Sequence, residues 1–317
     1  MNKITTPPQR HGPNIAFTLL VALALFLGAC SGTRQKPVRS LYFWSTTFVN
    51  DSLKRHFYKV HNVQRLYIRY FDVVKKPNQE PLPNATITFN DSVPQGIEVI
   101  PTVFITNECM RQPPQFAEKL WQRIRQMNET HGVKNVKEIQ IDCDWSKQTQ
   151  EVYFQFIRQL HQLLTKAGLK LSVTIRLHQL GMQAPPADKG TLMLYNTGDF
   201  RQLSNQKPIL DPEVVRQYIG GLRSYSLPLN AAYPLFRVRA LFRSGKFVGI
   251  IHTKDEYPVL PTDSIAVRET TLADLQSVQQ LINKHRPDVH NEIILYDINN
   301  RNLTKYSSND YEKIYNP

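Results

Sequence analysis

The chain of 317 residues contains only three cysteines, Cys30, Cys109 and Cys143. So few cysteines exclude a disulfide-rich framework. Cys109 and Cys143 fall near the ends of adjacent predicted strands, so either one bridge joins them or both are small buried thiols. The chain also has no HExxH sequence, no CxxC sequence and no paired histidines at helical spacing. We therefore expect no metal site and no cofactor.

Motifs of other protein classes are missing as well. There is no GxSxG sequence, which argues against an α/β-hydrolase, and no glycine-rich phosphate loop, which argues against a nucleotide-binding doubly wound sheet. The formal net charge is +13, yet no basic and aromatic motif for reading nucleic acid accompanies it. The surplus of cations either favours anionic surroundings, such as lipid headgroups, lipopolysaccharide or acidic glycans, or is a scattered solvated surface. We expect no nucleic-acid partner.

The first 29 residues have the pattern of an export signal. Lys3 and Arg10 precede the apolar run IAFTLLVALALFLGAC, which starts at Ile15 and is shorter than the about 20 apolar residues of a membrane span. The run ends in LGAC, which resembles the lipobox of bacterial lipoproteins. That resemblance implies cleavage before Cys30, lipidation of Cys30 and a polar tether over residues 30–38. An ordinary export signal with a chance cysteine is the alternative.

Cleavage at this point would change the charge and the location of the protein. It would remove Lys3 and Arg10, the only charged residues of the signal, and leave +11 on the mature chain. Ser31 after Cys30 favours the outer membrane by analogy with other bacterial lipoproteins. The lipobox therefore implies a protein of the bacterial cell envelope that a lipid holds to the membrane.

Residues 39–317 are enough for one large α/β domain. Strands that alternate with helices pair in parallel, and eight strands in this length predict a (β/α)8 TIM barrel. An open doubly wound sheet is the alternative. The predicted strands are Ser40–Phe48, Gln64–Val74, Ile97–Ile105, Glu138–Trp145, Lys170–His178, Thr191–Gly198, Asn230–Phe242 and Glu292–Ile298.

The pattern is irregular in three places. NATITFND replaces a helix after the second strand, and QLGMQAPPADKG after the fifth strand is too short for one. GKFVGIIH and DSIAVRET, between the seventh and eighth strands, predict an added β-hairpin. A helix that starts at Asp211-Pro212 has Val215, Tyr218 and Leu222 on its apolar face.

The fourth predicted strand, EIQIDCDW, turns acidic at its end. Alternation directs Asp142 and Asp144 into the barrel, and it directs the apolar residues Ile139, Ile141 and Cys143 towards the helices. Arg176 and His178 take the same inward positions on the fifth strand, so we expect them to pair with the aspartates and form a charged floor. This network either only holds the barrel together or tunes a carboxylate for acid or base chemistry.

The carboxyl ends of the strands meet at one face of a TIM barrel, where active sites lie. In this sequence, aromatic rings, amides and charged groups gather at that face. Sugar-binding sites use such groups, because rings stack on pyranose faces and amides bind hydroxyls. The residues are Trp44, Arg69, Asp72, Asn107, Glu108, Tyr195, Asn196, Asp199, Tyr233, Tyr296 and Asp297.

In these residues the sequence resembles the chitinase-type glycoside hydrolase barrels. The fourth strand of that family ends in a D-x-D-W-E run, and here Asp142, Asp144 and Trp145 match it. The sixth strand carries Met-x-Tyr-Asp or Asn, and the sequence MLYN matches it. AAYPLF loosely matches a Pro-x-Tyr segment in the family's seventh strand, and an aromatic residue, here Tyr296, ends the eighth. The resemblance implies a carbohydrate substrate or ligand.

The sequence departs from this family directly after Trp145. The family's general acid is a glutamate, but the corresponding residue here is Ser146. A serine cannot protonate a glycosidic oxygen at neutral pH, so the substrate-assisted mechanism lacks its acid.

Two hypotheses follow from this departure. In the first, the protein is a glycoside hydrolase with Asp144 as the acid, Asp142 as its tuning partner, and Glu108 or Asp199 as base or nucleophile. Arg176 and His178 then support the acid pair. In the second, the barrel binds a glycan without cleaving it, and Trp145 and Tyr195 are stacking platforms.

Overall fold

A computed structural model describes residue 1 and residues 36–77, 79–112, 115–251 and 256–317. The predicted signal segment, Cys30 and most of the tether lie outside the described residues. Residues Pro37–Pro317 form one compact unit. Within the described part of the chain, no helix combines the length and the apolar character that crossing a bilayer requires.

Eight parallel strands form a closed barrel. Each strand pairs with the next in the chain, and the eighth pairs with the first, where Leu41 aligns with Leu295. The predicted (β/α)8 barrel is confirmed, and the open sheet is excluded. The strands are β1 (Val38–Phe43), β2 (Arg65–Val74), β3 (Glu98–Ile105), β4 (Glu138–Asp142), β5 (Lys170–Arg176), β6 (Lys189–Met193), β7 (Leu229–Pro234) and β8 (Glu292–Tyr296).

Helices connect several of these strands. Asp211 and Thr271 cap two of them by accepting a backbone N–H with their side chains, and the helix after Asp211 begins where the sequence predicts. Short extended segments, Leu82–Asn84 and Thr88–Phe89, follow β2 in place of a helix, and only the 3-10 helix Leu177–Gly181 follows β5. The α-helices are α1 (Ser52–Val60), α2 (Ala117–Thr130), α3 (Gln150–Lys166), α4 (Pro212–Tyr218), α5 (Leu272–His285), α6 (Asn300–Leu303) and α7 (Ser308–Tyr315).

The excursion between β7 and β8 is larger than the predicted hairpin. Arg237–Arg243, Lys246–Ile250 and Asp263–Glu269 form a three-stranded antiparallel sheet, here called the inserted sheet. The prediction of one barrel strand over Asn230–Phe242 is therefore wrong. Pro234, which has no N–H to donate, is the last residue in register with β8, and the chain then leaves the barrel.

Strand alternation sorts the core into two clusters. Outward-facing residues such as Ile139 and Ile141 of β4 are fully buried against the helices. A smaller cluster that includes Tyr42, Tyr67 and Met193 fills the inside of the barrel. The side to which a strand residue points therefore decides whether it can reach a site at the barrel mouth.

Candidate functional site at the carboxyl end of the barrel

A line of polar side chains crosses the inside of the barrel. The Tyr42 hydroxyl of β1 donates to Gln140 Oε1 of β4 at 2.5 Å, and Gln140 Nε2 donates to Thr191 Oγ1 of β6 at 3.0 Å. One layer nearer the mouth, Thr174 Oγ1 of β5 donates to Asp142 Oδ1 at 2.6 Å. These buried groups satisfy one another across the barrel, which makes a polar interior tolerable.

Arg176, at the end of β5, joins both aspartates of the β4 end. Its Nη2 lies 3.0 Å from Asp142 Oδ1, and its Nε donates to Asp144 Oδ1. Burial disfavours the charge of Arg176, but Asp142 and Asp144 outweigh this effect and raise its pKa. Burial raises the pKa of Asp142, against the opposing effects of Arg176 and the Thr174 hydroxyl. Asp142 is thus the buried partner, whereas the Asp144 side chain is 55% exposed.

A cleft of about 310 Å³ opens next to this cluster. Five of the predicted site residues line it, namely Asp144, Arg176, His178, Tyr195 and Asn196. The cleft thus combines a carboxylate, a guanidinium, an imidazole, an amide and a phenol ring. The other lining residues are Leu177, Met193, Thr197, Val214 and Tyr218.

His178 lies at the cleft but not in the buried floor. β5 ends at Arg176 and a 3-10 helix begins at Leu177, so strand alternation stops before His178. Its side chain is exposed, and the prediction that it points inward beside Arg176 is wrong. Gln179 takes the buried position. Its Oε1 accepts from the backbone N–H of Arg176, and its Nε2 donates to the Trp145 carbonyl, both at 2.8 Å.

Aromatic rings cover the barrel mouth beside the cleft. Tyr195 stacks on Tyr296, with ring centroids 4.9 Å apart and 21° between the planes. Trp44 contacts Tyr296 at a centroid separation of 5.5 Å, and Phe236 meets both tyrosines edge-on. Arg69 borders the same mouth, because its Cζ lies 5.5 Å from the centroid of the Trp44 ring. Trp44, Arg69, Tyr195 and Tyr296 therefore meet where the sequence analysis predicts.

Trp145 and Tyr233 lie on the other side of the barrel wall, which contradicts their predicted role at the mouth. Trp145 is fully buried and stacks on Tyr153 of α3, with ring centroids 5.8 Å apart. Tyr233 is also fully buried, and its hydroxyl lies 2.7 Å from His290 Nε2. Strand alternation turns Tyr233 of β7 outward, whereas Trp145 follows the end of β4 and packs against α3. They belong to the core and are not sugar-stacking platforms.

Neither of the two carboxylates predicted as base or nucleophile lines the cleft beside Asp144. Glu108 is exposed in the 3-10 helix Asn107–Met110 after β3. Asp199 accepts three hydrogen bonds from Arg201, one from its backbone N–H at 2.9 Å and two from its guanidinium at 2.9 and 3.0 Å. Within the described part of the chain, no hydrogen bond or ion pair joins either carboxylate to Asp142 or Asp144.

Two aromatic residues at this end of the barrel, Tyr218 and Phe236, are not among the predicted site residues. Helical spacing places Tyr218 on a buried face, but α4 ends at this residue, and its side chain is 42% exposed and lines the cleft. Phe236 falls within a segment predicted as a continuous strand. Pro234 in AAYPLF could have indicated the end of the barrel strand, because proline has no N–H to donate to a neighbouring strand. Phe236 follows that strand end.

Cys109 and Cys143 are buried free thiols. Burial raises the pKa of both, so neither is an activated nucleophile at neutral pH. Among the residues that the structure describes, no three His, Cys, Asp or Glu side chains are grouped as metal ligands would be.

Known proteins of the same architecture are found by structure and not by sequence. No protein-family model matches the chain, and no curated protein matches it. The spore cortex-lytic enzyme SleL of Bacillus cereus is 15% identical, with a TM-score of 0.58 over 88% of this chain and 74% of SleL. A chitinase of Chromobacterium violaceum is 12% identical, with a TM-score of 0.55 over 88% of this chain and 98% of its own.

A variant of a GH18 chitinase of Cycas revoluta, solved in complex with (GlcNAc)4, is 10% identical to this chain. Its TM-score is 0.50, over 88% of this chain and 98% of its own. At these identities the likeness establishes a shared fold. The chain is thus a (β/α)8 barrel with the fold of GH18 chitinase-like enzymes.

Proposed function

We propose that this protein binds a glycan at the carboxyl end of its barrel without cleaving it. The observation that carries the proposal is the pairing of Arg176 with both Asp142 and Asp144. Ser146 lies two residues after Asp144. General-acid catalysis needs a group that presents a proton to the leaving oxygen. Here the carboxylate nearest the cleft accepts a hydrogen bond from a guanidinium, and a serine occupies the position of the family's acid.

The composition of the cleft supports a carbohydrate ligand. Asn196 and Asp144 can bind sugar hydroxyls, while the rings of Tyr195 and Tyr218 offer apolar faces. Polar and apolar side chains line this cleft in about equal number, and a sugar presents both hydroxyl groups and an apolar ring face to such a lining. The complex of the Cycas revoluta chitinase with (GlcNAc)4 supports an oligosaccharide as the first ligand to try.

Hydrolysis with Asp144 as a relocated acid is the second candidate. The raised pKa of Asp142, which burial causes, favours it, because two neighbouring carboxyl groups can share one proton. Four contacts oppose it. Arg176 binds both carboxylates, Thr174 donates to Asp142, and Asp199 is bound to Arg201.

The experiment that decides between them uses the full-length chain with (GlcNAc)4 and a glycan panel. Calorimetry measures binding, and an assay for new reducing ends measures cleavage. We expect binding and no new reducing ends. Cleavage that disappears in Asp144→Asn, but survives in the surface control Glu118→Gln, would establish the hydrolase instead. Absence of both binding and cleavage would overturn the carbohydrate assignment.

We also propose that Cys30 carries a lipid that anchors the protein in the bacterial cell envelope, at the outer membrane, with residues 30–38 as the tether. The LGAC sequence after an apolar run supports this proposal, as does Ser31. In a bacterial host, wild-type protein should fractionate with outer membranes and give an N-terminal peptide with acylated Cys30. Cys30→Ser should lack the acyl mass. An N-terminus elsewhere with unmodified Cys30 would contradict the anchor.

A further inference from the structure

A second cavity lies between the start of the inserted sheet and the segment that follows β8. Its volume is about 250 Å³, and it is lined by Leu235, Arg237, Glu269, Arg301, Asn302, Thr304 and Lys305. Three of these side chains are cationic and one is acidic, which leaves the lining with a formal charge of +2. None of the seven residues lines the cleft beside Asp144.

Lys305 lacks the partners that a buried ammonium needs. Its Nζ is buried and has no hydrogen-bond partner among the described residues. The Tyr306 ring centroid lies 5.0 Å away, but a ring face cannot accept the three N–H bonds of an ammonium. Burial lowers the pKa of Lys305 to about 8, although Glu269 opposes this shift. A bound anion would relieve the cost of this buried group.

Arg237 and Arg301 add two exposed guanidinium groups to the cavity. Among the contacts of the described residues, neither guanidinium has an ion pair or a side-chain hydrogen bond. A guanidinium presents its N–H groups in a fork that matches the oxygen atoms of phosphate and carboxylate. The cavity therefore combines two unengaged guanidinium groups with a lysine in its wall whose ammonium is buried and unpartnered among the described residues.

The loops that form this cavity follow β7 and β8. In TIM barrels the loops after these two strands frequently bind phosphate groups. Here the backbone N–H of Leu235 donates to the Tyr296 carbonyl at 2.5 Å, which joins the two loops. Asn302 Nδ2 donates to the Asp297 carbonyl at 2.9 Å and holds the second loop in place. These hydrogen bonds hold together the two loops that carry Arg237, Arg301 and Lys305.

We propose that Arg237, Arg301 and Lys305 bind an oxyanion, either phosphate or carboxylate, carried by the saccharide that occupies the neighbouring cleft. Phe236 connects the two places, because its ring packs on Tyr195 and Tyr296 and Arg237 follows it directly. The saccharide part of this inference rests on the proposed function, whereas the oxyanion site rests on the cavity alone.

The first experiment titrates the full-length chain with inorganic phosphate and, separately, with acetate, at constant ionic strength against chloride. We expect Lys305→Met to weaken phosphate binding on the order of tenfold or more, because it removes a hydrogen bond between charged groups. The matched control Lys246→Met changes an exposed lysine of the inserted sheet and should bind as wild type does. Equal affinity in Lys305→Met and wild type would overturn the proposal.

The buried ammonium also predicts a proton linkage. Sulfate has no titratable proton near pH 8, so sulfate binding at this pH should take up protons through Lys305. Calorimetry in two buffers of different ionisation enthalpy measures this uptake, which Lys305→Met should abolish. Sulfate binding without proton uptake in wild type would overturn the role of Lys305. Arg301→Gln, an exposed change, tests the oxyanion site without altering a buried group.

A final arm compares a neutral oligosaccharide with phosphorylated and uronic-acid oligosaccharides of equal length. Wild type should bind one acidic form more tightly than the neutral form, and Lys305→Met should remove the difference. The form preferred tells whether the natural group is phosphate or carboxylate. Phosphate binding without any glycan binding would overturn the proposed function and leave the oxyanion site. Glycan binding without any oxyanion binding would overturn the oxyanion site and leave the proposed function.

Discussion

The guanidinium of Arg176 lies 3.0 Å from the Asp142 carboxylate inside the barrel. The same guanidinium reaches forward to Asp144 at the cleft. A cation from β5 thereby neutralises the acidic end of β4, which allows two carboxylates to lie at the end of a low-dielectric barrel interior. The arrangement that makes this strand end resemble a catalytic one also occupies the groups that catalysis would use.

Removing that guanidinium should leave Asp142 buried without its counter-ion. We expect Arg176→Met to lower the free energy of unfolding by about 3–5 kcal/mol, measured by urea denaturation. The control is Arg201→Met, which breaks the exposed pair with Asp199 and should leave the free energy of unfolding almost unchanged. If both variants lost the same free energy of unfolding, the buried Asp142 would need its counter-ion no more than the exposed Asp199 does.

A second ion network at the amino end of the barrel predicts a dependence of stability on pH. Lys189 Nζ lies 2.8 Å from Glu138 and 3.1 Å from Glu292. Burial raises the pKa of Glu138 above its ordinary value of 4.5, despite Lys189. The folded state therefore keeps this proton to a higher pH than the unfolded state, and the contribution of Glu138 to stability is lost as pH rises above about 4.5.

Glu138→Gln removes that contribution. Between about pH 4.5 and neutrality, the free energy of unfolding of this variant should rise relative to that of wild type. Glu292, whose pKa is lowered, acts in the opposite direction and is present in both proteins. Thermal or urea denaturation at a series of pH values measures the difference. Glu118→Gln, on the surface of α2, should follow wild type, and parallel curves for Glu138→Gln would refute the assigned shift.

The buried position of Trp145 separates stability from binding. Trp145→Leu should lower the free energy of unfolding by about 2–4 kcal/mol, because the indole packs on Tyr153 and Phe154 without exposure. The folded variant should bind (GlcNAc)4 as wild type does. Trp121→Leu, at a half-buried position on α2, should cost less stability. A selective loss of glycan affinity in Trp145→Leu would place this residue in the site after all.

Tyr218 predicts the converse separation. Its ring lines the cleft and is 42% exposed, so Tyr218→Ala should hardly change the free energy of unfolding. We expect (GlcNAc)4 affinity to fall by about tenfold, as for an aromatic contact whose burial contributes about 1–2 kcal/mol. Val60→Ala, an exposed apolar change on α1, is the control for calorimetry. An unchanged affinity in Tyr218→Ala would show that the ligand does not contact the Tyr218 ring at the end of α4.

The sequence predicts most of the barrel because its strands are separate apolar runs, several of them followed by helical patterns, and local alternation is strong. Alternation places Asp142 and the apolar Ile141 on opposite sides of β4, as observed. Periodicity misleads where an element ends. His178 follows the end of β5, Trp145 follows the end of β4, and Tyr218 is the last residue of α4. A strand-end motif therefore indicates a residue's position along the barrel axis but not the side of the barrel wall on which its side chain packs.

The sequence also predicts that Arg176 pairs with the aspartates, and the ion pairs with Asp142 and Asp144 confirm this prediction. The register of β4 against β5, which brings these side chains together, is visible only in the structure. The oxyanion cavity is a similar case. Arg237 and Lys305 are distant in the chain, and only the pairing of β7 with β8 brings their loops together.

The contact between β1 and β8 has a consequence for the order of folding. Leu41 and Leu295 meet across the seam of the barrel, so this sheet keeps two open edges until nearly the whole described chain is available. Before that point, β1 presents an unpaired row of N–H and C=O groups to any other extended segment. Pairing of the first and last strands is therefore the step that removes the open edges of the barrel sheet.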